Sequence, residues 1–124
     1  MSNLIPIAKP SLGPKELELV CEVMTSGWIS STGCFVEQFE EICAAYIGVQ
    51  HGIATANGSV AIQLALAGLG IGPSDEVIVP NFTFAATINA VIHVGATPIL
   101  ADIDPDSWTI DANQVEKLIT KNTK

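Results

Sequence analysis

Ala54-Thr55-Ala56-Asn57-Gly58-Ser59-Val60-Ala61-Ile62-Gln63-Leu64-Ala65-Leu66 is the stretch whose reading decides the fold. A short apolar run ends in a polar Asn-Gly-Ser turn, and a long run of apolar helix formers begins at once. That is how a strand hands over to a helix N-terminus, where unpaired backbone N–H groups and the positive end of the helix dipole gather. Gly58 lets a ligand approach the backbone, and the Ser59 hydroxyl is available as cap or donor. Such a turn suits a phosphate. A plain strand–helix connector capped by serine is an equally open reading of these residues. The turn is not a P-loop, because no Gly-Lys-Ser/Thr follows, and it lacks the G-x-G-x-x-G of dinucleotide sites.

Outward from this turn, short apolar runs alternate with helical periodicity. A strand is predicted at about 51–54, a helix at 59–69 and a turn at Gly72-Pro73. A strand at 76–79, a helix at about 83–94 and a strand at 98–101 follow, ending in Asp102-Ile103-Asp104-Pro105. This β-α-β-α-β order implies a mainly parallel sheet with flanking helices. The 59–69 helix is apolar almost all round and is expected to be buried between layers. Upstream, Leu17, Val20, Cys21 and Met24 mark an amphipathic helix at 14–25 with Pro14 in its first turn. Val36, Phe39, Ile42, Cys43 and Tyr46 mark a second helix at 36–47, closed by Gly48. The glycine-bounded stretch Ser26-Gly27-Trp28-Ile29-Ser30-Ser31-Thr32-Gly33 reads as a loop between them. At the other end, residues 114–124 read as a helix running into a connector.

Asn57-Gly58-Ser59, Pro80-Asn81-Phe82-Thr83-Phe84 and Asp102-Ile103-Asp104 each follow the C-terminal end of a predicted strand. In a parallel sheet those ends share one edge, where α/β proteins place their ligands. Phe82 and Phe84, on alternate residues, are expected to point the same way, and either ring could stack on a flat cofactor or belong to the core. Asp102 and Asp104 could be paired carboxylates for proton transfer; capping of turn N–H groups ahead of Pro105 is the favoured reading. His51 and His93 sit in separate apolar runs, with no metal-ligand spacing, so no metal site is expected.

Composition narrows the function classes. The net charge is −8, and all five basic residues are lysines. Nucleic-acid binding through a basic patch is therefore not expected, nor is attraction to an anionic membrane. No run reaches membrane-spanning length. Residues 1–9 show no apolar core of signal-peptide length, and three cysteines without C-x-x-C spacing suit a reduced, cytoplasmic protein. Two glycosylation acceptor patterns, at Asn57 and Asn81, are accordingly read as coincidence. Hydrophobic residues make up 48% and charged residues 15%, an imbalance a small free-standing domain rarely tolerates. The expectation is the N-terminal piece of a larger protein.

These blocks, in this order, resemble the DegT/DnrJ/EryC1/StrS family of sugar aminotransferases. The likeness runs through Ile5-Pro6-Ile7-Ala8-Lys9-Pro10, residues 26–33, Val36-Glu37-Gln38-Phe39-Glu40, residues 57–66, residues 75–87 and Gly95-Ala96-Thr97-Pro98-Ile99-Leu100-Ala101-Asp102-Ile103-Asp104. The resemblance implies the N-terminal part of a pyridoxal 5'-phosphate (PLP)-dependent transferase large domain, of the aspartate aminotransferase-like fold type I. Residues 1–50 would form a helical segment carrying a substrate loop, and residues 51–124 the start of the PLP-binding domain. It implies cofactor binding by Asn57, Gly58, Ser59 and Phe84, with the phosphate at Gly58 and Ser59 and the pyridine ring on Phe84. Trp28, Ile29 and Ser30 would reach the sugar.

The implied reaction moves an amino group from an amino acid, glutamate by likeness, to a nucleotide-linked 4-keto-6-deoxy sugar for polysaccharide or lipopolysaccharide synthesis. A cytoplasmic homodimer is implied as well. In the family the Schiff-base lysine lies further along, beyond residue 124, and Lys9, Lys15, Lys117, Lys121 and Lys124 do not sit in its motif. Two alternatives stay open: a PLP-dependent sugar dehydratase or deoxygenase of the same family, and a truncated, non-catalytic product.

Overall fold

Gly13, Gly27, Gly33 and Gly48 punctuate the first part of the chain. A computed structural model describes Ile5 and residues 8–124; residues 1–4, 6 and 7 lie outside the described residues, and with them two of the six lead-in positions from Ile5 to Pro10. The chain divides into two compact units, residues 1–54 and 55–124.

In the first unit, α1 spans Pro14–Ser26 and α2 spans Cys34–Ile47. Pro14 opens α1, and the Glu16 carboxylate reaches back 2.7 Å to accept the Gly13 N–H, which is half of a capping box, since glycine has no side chain to complete it. The N–H groups of Glu16 itself and of Gly13 hold the Glu16 carboxyl below its usual range. Gly27 (φ 71°) and Gly48 (φ 81°) end the helices in the left-handed conformation, which costs a residue with a Cβ about 1–2 kcal/mol. The Gly48 and Val49 N–H groups both close onto the Ala44 carbonyl, at 2.9 and 3.0 Å.

The apolar stripes expected on these helices are there, but the chain does not cover them. Leu17, Val20, Met24, Phe39, Ile42 and Tyr46 are all exposed, and Ala44 is the sole buried residue of the two helices. Cys21 and Cys34 are exposed free thiols. The strand predicted at 51–54 does not form. Its Ala54 N–H is taken at 2.7 Å by the Glu40 carboxylate of α2, and Gly52 lies so close to α2 that a Cβ there would stand 2.7 Å from the Glu40 carbonyl oxygen.

The second unit runs α3 (Gly58–Gly68), β1 (Glu76–Pro80), α4 (Ala85–His93), β2 (Thr97–Ala101) and α5 (Ala112–Leu118). β1 and β2 pair in parallel, Glu76 opposite Thr97 through Pro80 opposite Ala101, with α4 as the crossover. Val79, Val91 and Ala96 form the buried centre, with Leu66, Ile71, Val77, Ile88 and Val94 packed around them. α3 packs on α4. Only its Leu66 side reaches this core, however, and Val60, Ile62 and Leu64 stay 37–45% exposed. The burial expected for α3 is thus absent: two strands and one helix cover one side of it only.

The segment after α5 is not a mere connector. Glu76 donates its N–H to the Asn122 carbonyl at 2.9 Å and accepts from the Lys124 N–H at 3.0 Å, making a parallel bridge to Thr123. Thr97 meanwhile donates to Asp75 on the opposite edge, so β1 lies between β2 and residues 122–124.

Candidate functional site

The N-terminus of α3 is the first element of the site. Asn57 is its N-cap, and its side-chain oxygen accepts the Val60 N–H at 3.1 Å. The Asn57 carbonyl takes the Ala61 N–H at 3.1 Å. Among the described residues, the Gly58 and Ser59 amides donate to no atom of the chain. A Cβ built on Gly58 would meet nothing within 4 Å. Two unpaired N–H groups, a hydroxyl and open space thus coincide at the positive end of an eleven-residue helix. A phosphate monoester fits such a place. Asn57 contributes through its cap, which holds the turn in shape.

The second element is the segment leaving β1. Phe84 is the N-cap residue of α4, with extended backbone, and its side chain is 82% exposed. Phe82 faces a different setting: its ring meets Trp108 edge-on, with centroids 5.3 Å apart and planes at 71°. The two rings, expected to share one orientation, differ in setting: Phe82 rests on Trp108, and Phe84 is the more exposed. A turn after the strand breaks the alternation that a continued strand would impose. Phe84 is the ring free to offer a face to a flat ligand.

Asp102 and Asp104 are turn-capping groups, in line with the favoured reading. One Asp102 carboxylate oxygen accepts the Ile103 N–H at 2.9 Å and the Asn81 side-chain N–H at 3.0 Å. Asp104 accepts the N–H groups of Asp106 and Ser107 at 2.7 and 3.1 Å. Those two bonds, Ser107 foremost, hold the Asp104 carboxyl below its usual range. The sequence gives Asn81 a place in the loop after β1 but no bonding role, and gives no sign of Trp108. Their partners lie on other loops, 21 positions away in the case of Asn81 and Asp102, so no local pattern announces them.

In the first unit, Trp28, Ile29 and Ser30 line a shallow pocket of about 190 Å³ with Val23, Thr32 and Gly33. The Trp28 indole N–H donates to the Thr32 carbonyl, and its ring occupies the space where a Cβ of Gly33 would stand. Gly33 itself has φ 138°, a conformation that favours glycine. Trp28 and Ile29 are 60% and 68% exposed. Among the described residues there is no cluster of metal-ligating side chains, and no helix is long and apolar enough to cross a membrane.

The α/β unit thus carries a helix N-terminus with unpaired amides and, after β1, an exposed aromatic ring, groups of the kind a phosphorylated, planar ligand would use. Residues 10–124 match the DegT/DnrJ/EryC1/StrS aminotransferase family, and the chain belongs to that family. It is 49% identical to GDP-perosamine synthase of Caulobacter vibrioides, over all of this chain and 34% of that protein. It is 42% identical to the spore coat polysaccharide biosynthesis protein SpsC of Bacillus subtilis, over 99% of this chain and 31% of that one. The chain therefore spans about a third of the length of these curated relatives.

Its fold is shared with Spr1654 of Streptococcus pneumoniae, assigned as a sugar aminotransferase and solved in PMP and PLP forms. The TM-score is 0.89 at 35% identity, over 97% of this chain and 30% of that one.

Proposed function

We propose that this chain is the N-terminal portion of a PLP-dependent sugar aminotransferase. The reaction is transfer of an amino group from an amino acid, glutamate, to C4 of a nucleotide-linked 4-keto-6-deoxy sugar destined for a surface polysaccharide. The reading rests on one observation above others: the unpaired Gly58 and Ser59 amides at the start of α3, in a chain 49% identical to a GDP-perosamine synthase. When bound, PLP supplies the electron sink that lets an amino group pass between an amino acid and a carbonyl. The residues present here fit part of that cofactor.

Gly58 and Ser59 bind the phosphate through backbone N–H groups and the Ser59 hydroxyl, assisted by the helix dipole. Asn57 keeps those amides aligned by capping Val60. Phe84 covers one face of the ring, fixing its plane and excluding water from that side. Trp28, Ile29 and Ser30 form the sugar-facing loop of a segment covering residues 1–50, and residues 51–124 begin the cofactor domain. The lysine that holds the cofactor covalently belongs to a later segment. The exposed apolar faces of α1, α2 and α3 suit a homodimer of the complete protein.

The test is direct. Full-length protein carrying this segment is incubated with PLP, glutamate and a nucleotide-linked 4-keto-6-deoxy sugar, and the products are separated by mass. Formation of the amino sugar together with 2-oxoglutarate is expected. Deoxygenated sugar without loss of glutamate would replace this reading with that of a dehydratase.

A further inference from the structure

The exposed ring of Phe84 sits at the end of a short segment that is fastened elsewhere. Asn81 prolongs the β1–β2 ladder by donating its backbone N–H to the Ala101 carbonyl at 2.8 Å. Its side chain donates to Asp102 at 3.0 Å. Phe82, next along, rests edge-on against Trp108 at 5.3 Å.

The loop on which both residues rest is itself braced. Asp102 accepts the Ile103 N–H, and Asp104 accepts those of Asp106 and Ser107. The Trp108 N–H closes on the Asp104 carbonyl at 2.9 Å, and the Asp104 N–H donates to Thr109 at 2.9 Å. Trp108 adopts φ 60° there, an uncommon conformation for an aromatic residue, and it is that backbone which carries the indole lying against Phe82. On the far side, the Phe84 carbonyl accepts the Thr87 N–H at 3.0 Å. Anchors therefore stand on both sides of Phe84, whose ring is the most exposed of the three aromatics here.

We infer that Asn81, Asp102 and Trp108 are positioning residues that set the plane Phe84 presents to the cofactor ring. The inference rests on the reading of Phe84 given above. These residues act on Phe84 through the two residues between Asn81 and Phe84. The Asn81–Asp102 pair is the adjustable part, since it joins the loops after β1 and β2 by one donor and one acceptor. Its removal frees the segment to tilt, and ring stacking is sensitive to such tilts.

The experiment uses full-length protein and four forms of it: Asn81→Asp, the exchange Asn81→Asp/Asp102→Asn, Phe84→Ala, and Asn81→Asp/Phe84→Ala. Asn81→Asp sets two carboxylates against each other. The exchange restores a donor–acceptor pair in reverse, and the amide it introduces at position 102 keeps an oxygen for the Ile103 N–H. The readouts are the PLP dissociation constant and the circular dichroism band of the bound cofactor.

Phe84→Ala and Asn81→Asp are each expected to weaken PLP binding about tenfold, and the exchange to recover it to within about threefold, with the dichroism band restored. In the Phe84→Ala background, Asn81→Asp should add less than about twofold, because the same interaction is already gone. Undiminished loss in that background overturns the inference while leaving Phe84 its stacking role. Wild-type affinity in Asn81→Asp does the same. Wild-type affinity in Phe84→Ala overturns the stacking assignment itself. Should Asn81→Asp fail to fold, the exchange decides: recovery of affinity and dichroism supports the latch, and an exchange that folds but binds as weakly as Phe84→Ala refutes it.

Discussion

Replacing Gly58 by alanine separates folding from ligand binding at the α3 N-terminus. Apart from its chain neighbours and the backbone of its own helix, a Cβ at Gly58 meets nothing within 4 Å, and the residue lies at the first position of the helix. The substitution therefore brings no clash. It narrows the unfolded ensemble and favours the helix, worth about 0.4–1 kcal/mol in stability. The methyl group enters the same open space through which a phosphate would approach the Gly58 and Ser59 amides. A hydrogen bond to a charged group contributes about 1.5–3 kcal/mol, so losing one weakens binding by about 10- to 100-fold. Thermal unfolding of the cofactor-free full-length protein, set beside its PLP dissociation constant, gives both numbers. Unchanged or higher Tm with PLP affinity lowered at least about tenfold is expected. Unchanged Tm with affinity within about twofold of wild type would refute phosphate binding at this turn.

Val91→Ala removes two methyl groups from a side chain that is 1% exposed. Transfer and cavity terms together predict a loss of about 2–3 kcal/mol in denaturant unfolding, and less than about 0.5 would contradict the core assignment. Gly33→Ala meets both an unfavourable φ of 138° and the Trp28 ring; KM for the sugar nucleotide should rise at least about threefold while PLP affinity holds. The turn at Asp104 should weaken in acid. Its carboxyl is held below the usual range by the Ser107 and Asp106 N–H groups, so its contribution is full above the unfolded carboxylate value, near about 3.9. The contribution fades as pH falls from there through the lower folded value. Asp104→Asn should flatten that part of the acid-unfolding profile, and an unaltered profile would exclude the linkage.

Local signals carried the helices and their ends. Pro14, Gly27 and Gly48 mark the boundaries of α1 and α2 because fixed φ and positive φ are properties of single residues. The handover from Asn57 to Gly58 was legible for the same reason, and the side chain of Asn57 caps Val60 as its type predisposes it to do. What depends on distant partners was not legible. The 51–54 run has strand character, yet a strand forms only where an edge accepts it, and the Glu40 carboxylate takes the Ala54 N–H instead. The apolar girth of α3 reads as burial only if layers close on both sides. Thr123 gains a place beside β1 from Glu76, far away in sequence. Asn81 and Trp108 entered the candidate site by the same route, through Asp102 and Phe82.

Family likeness assigns phosphate, ring and sugar to Gly58 and Ser59, to Phe84 and to the Trp28 loop. Gly58 and Ser59 offer free amides, and Phe84 an exposed face. Trp28 is held by Thr32 and Gly33 in a pocket of its own unit. The most direct measurement of the central claim is the intact mass of the protein from its native source after borohydride reduction. A species well above 13.0 kDa with a pyridoxyl phosphate fixed to one lysine is expected. A bare 13.0 kDa species would contradict that claim.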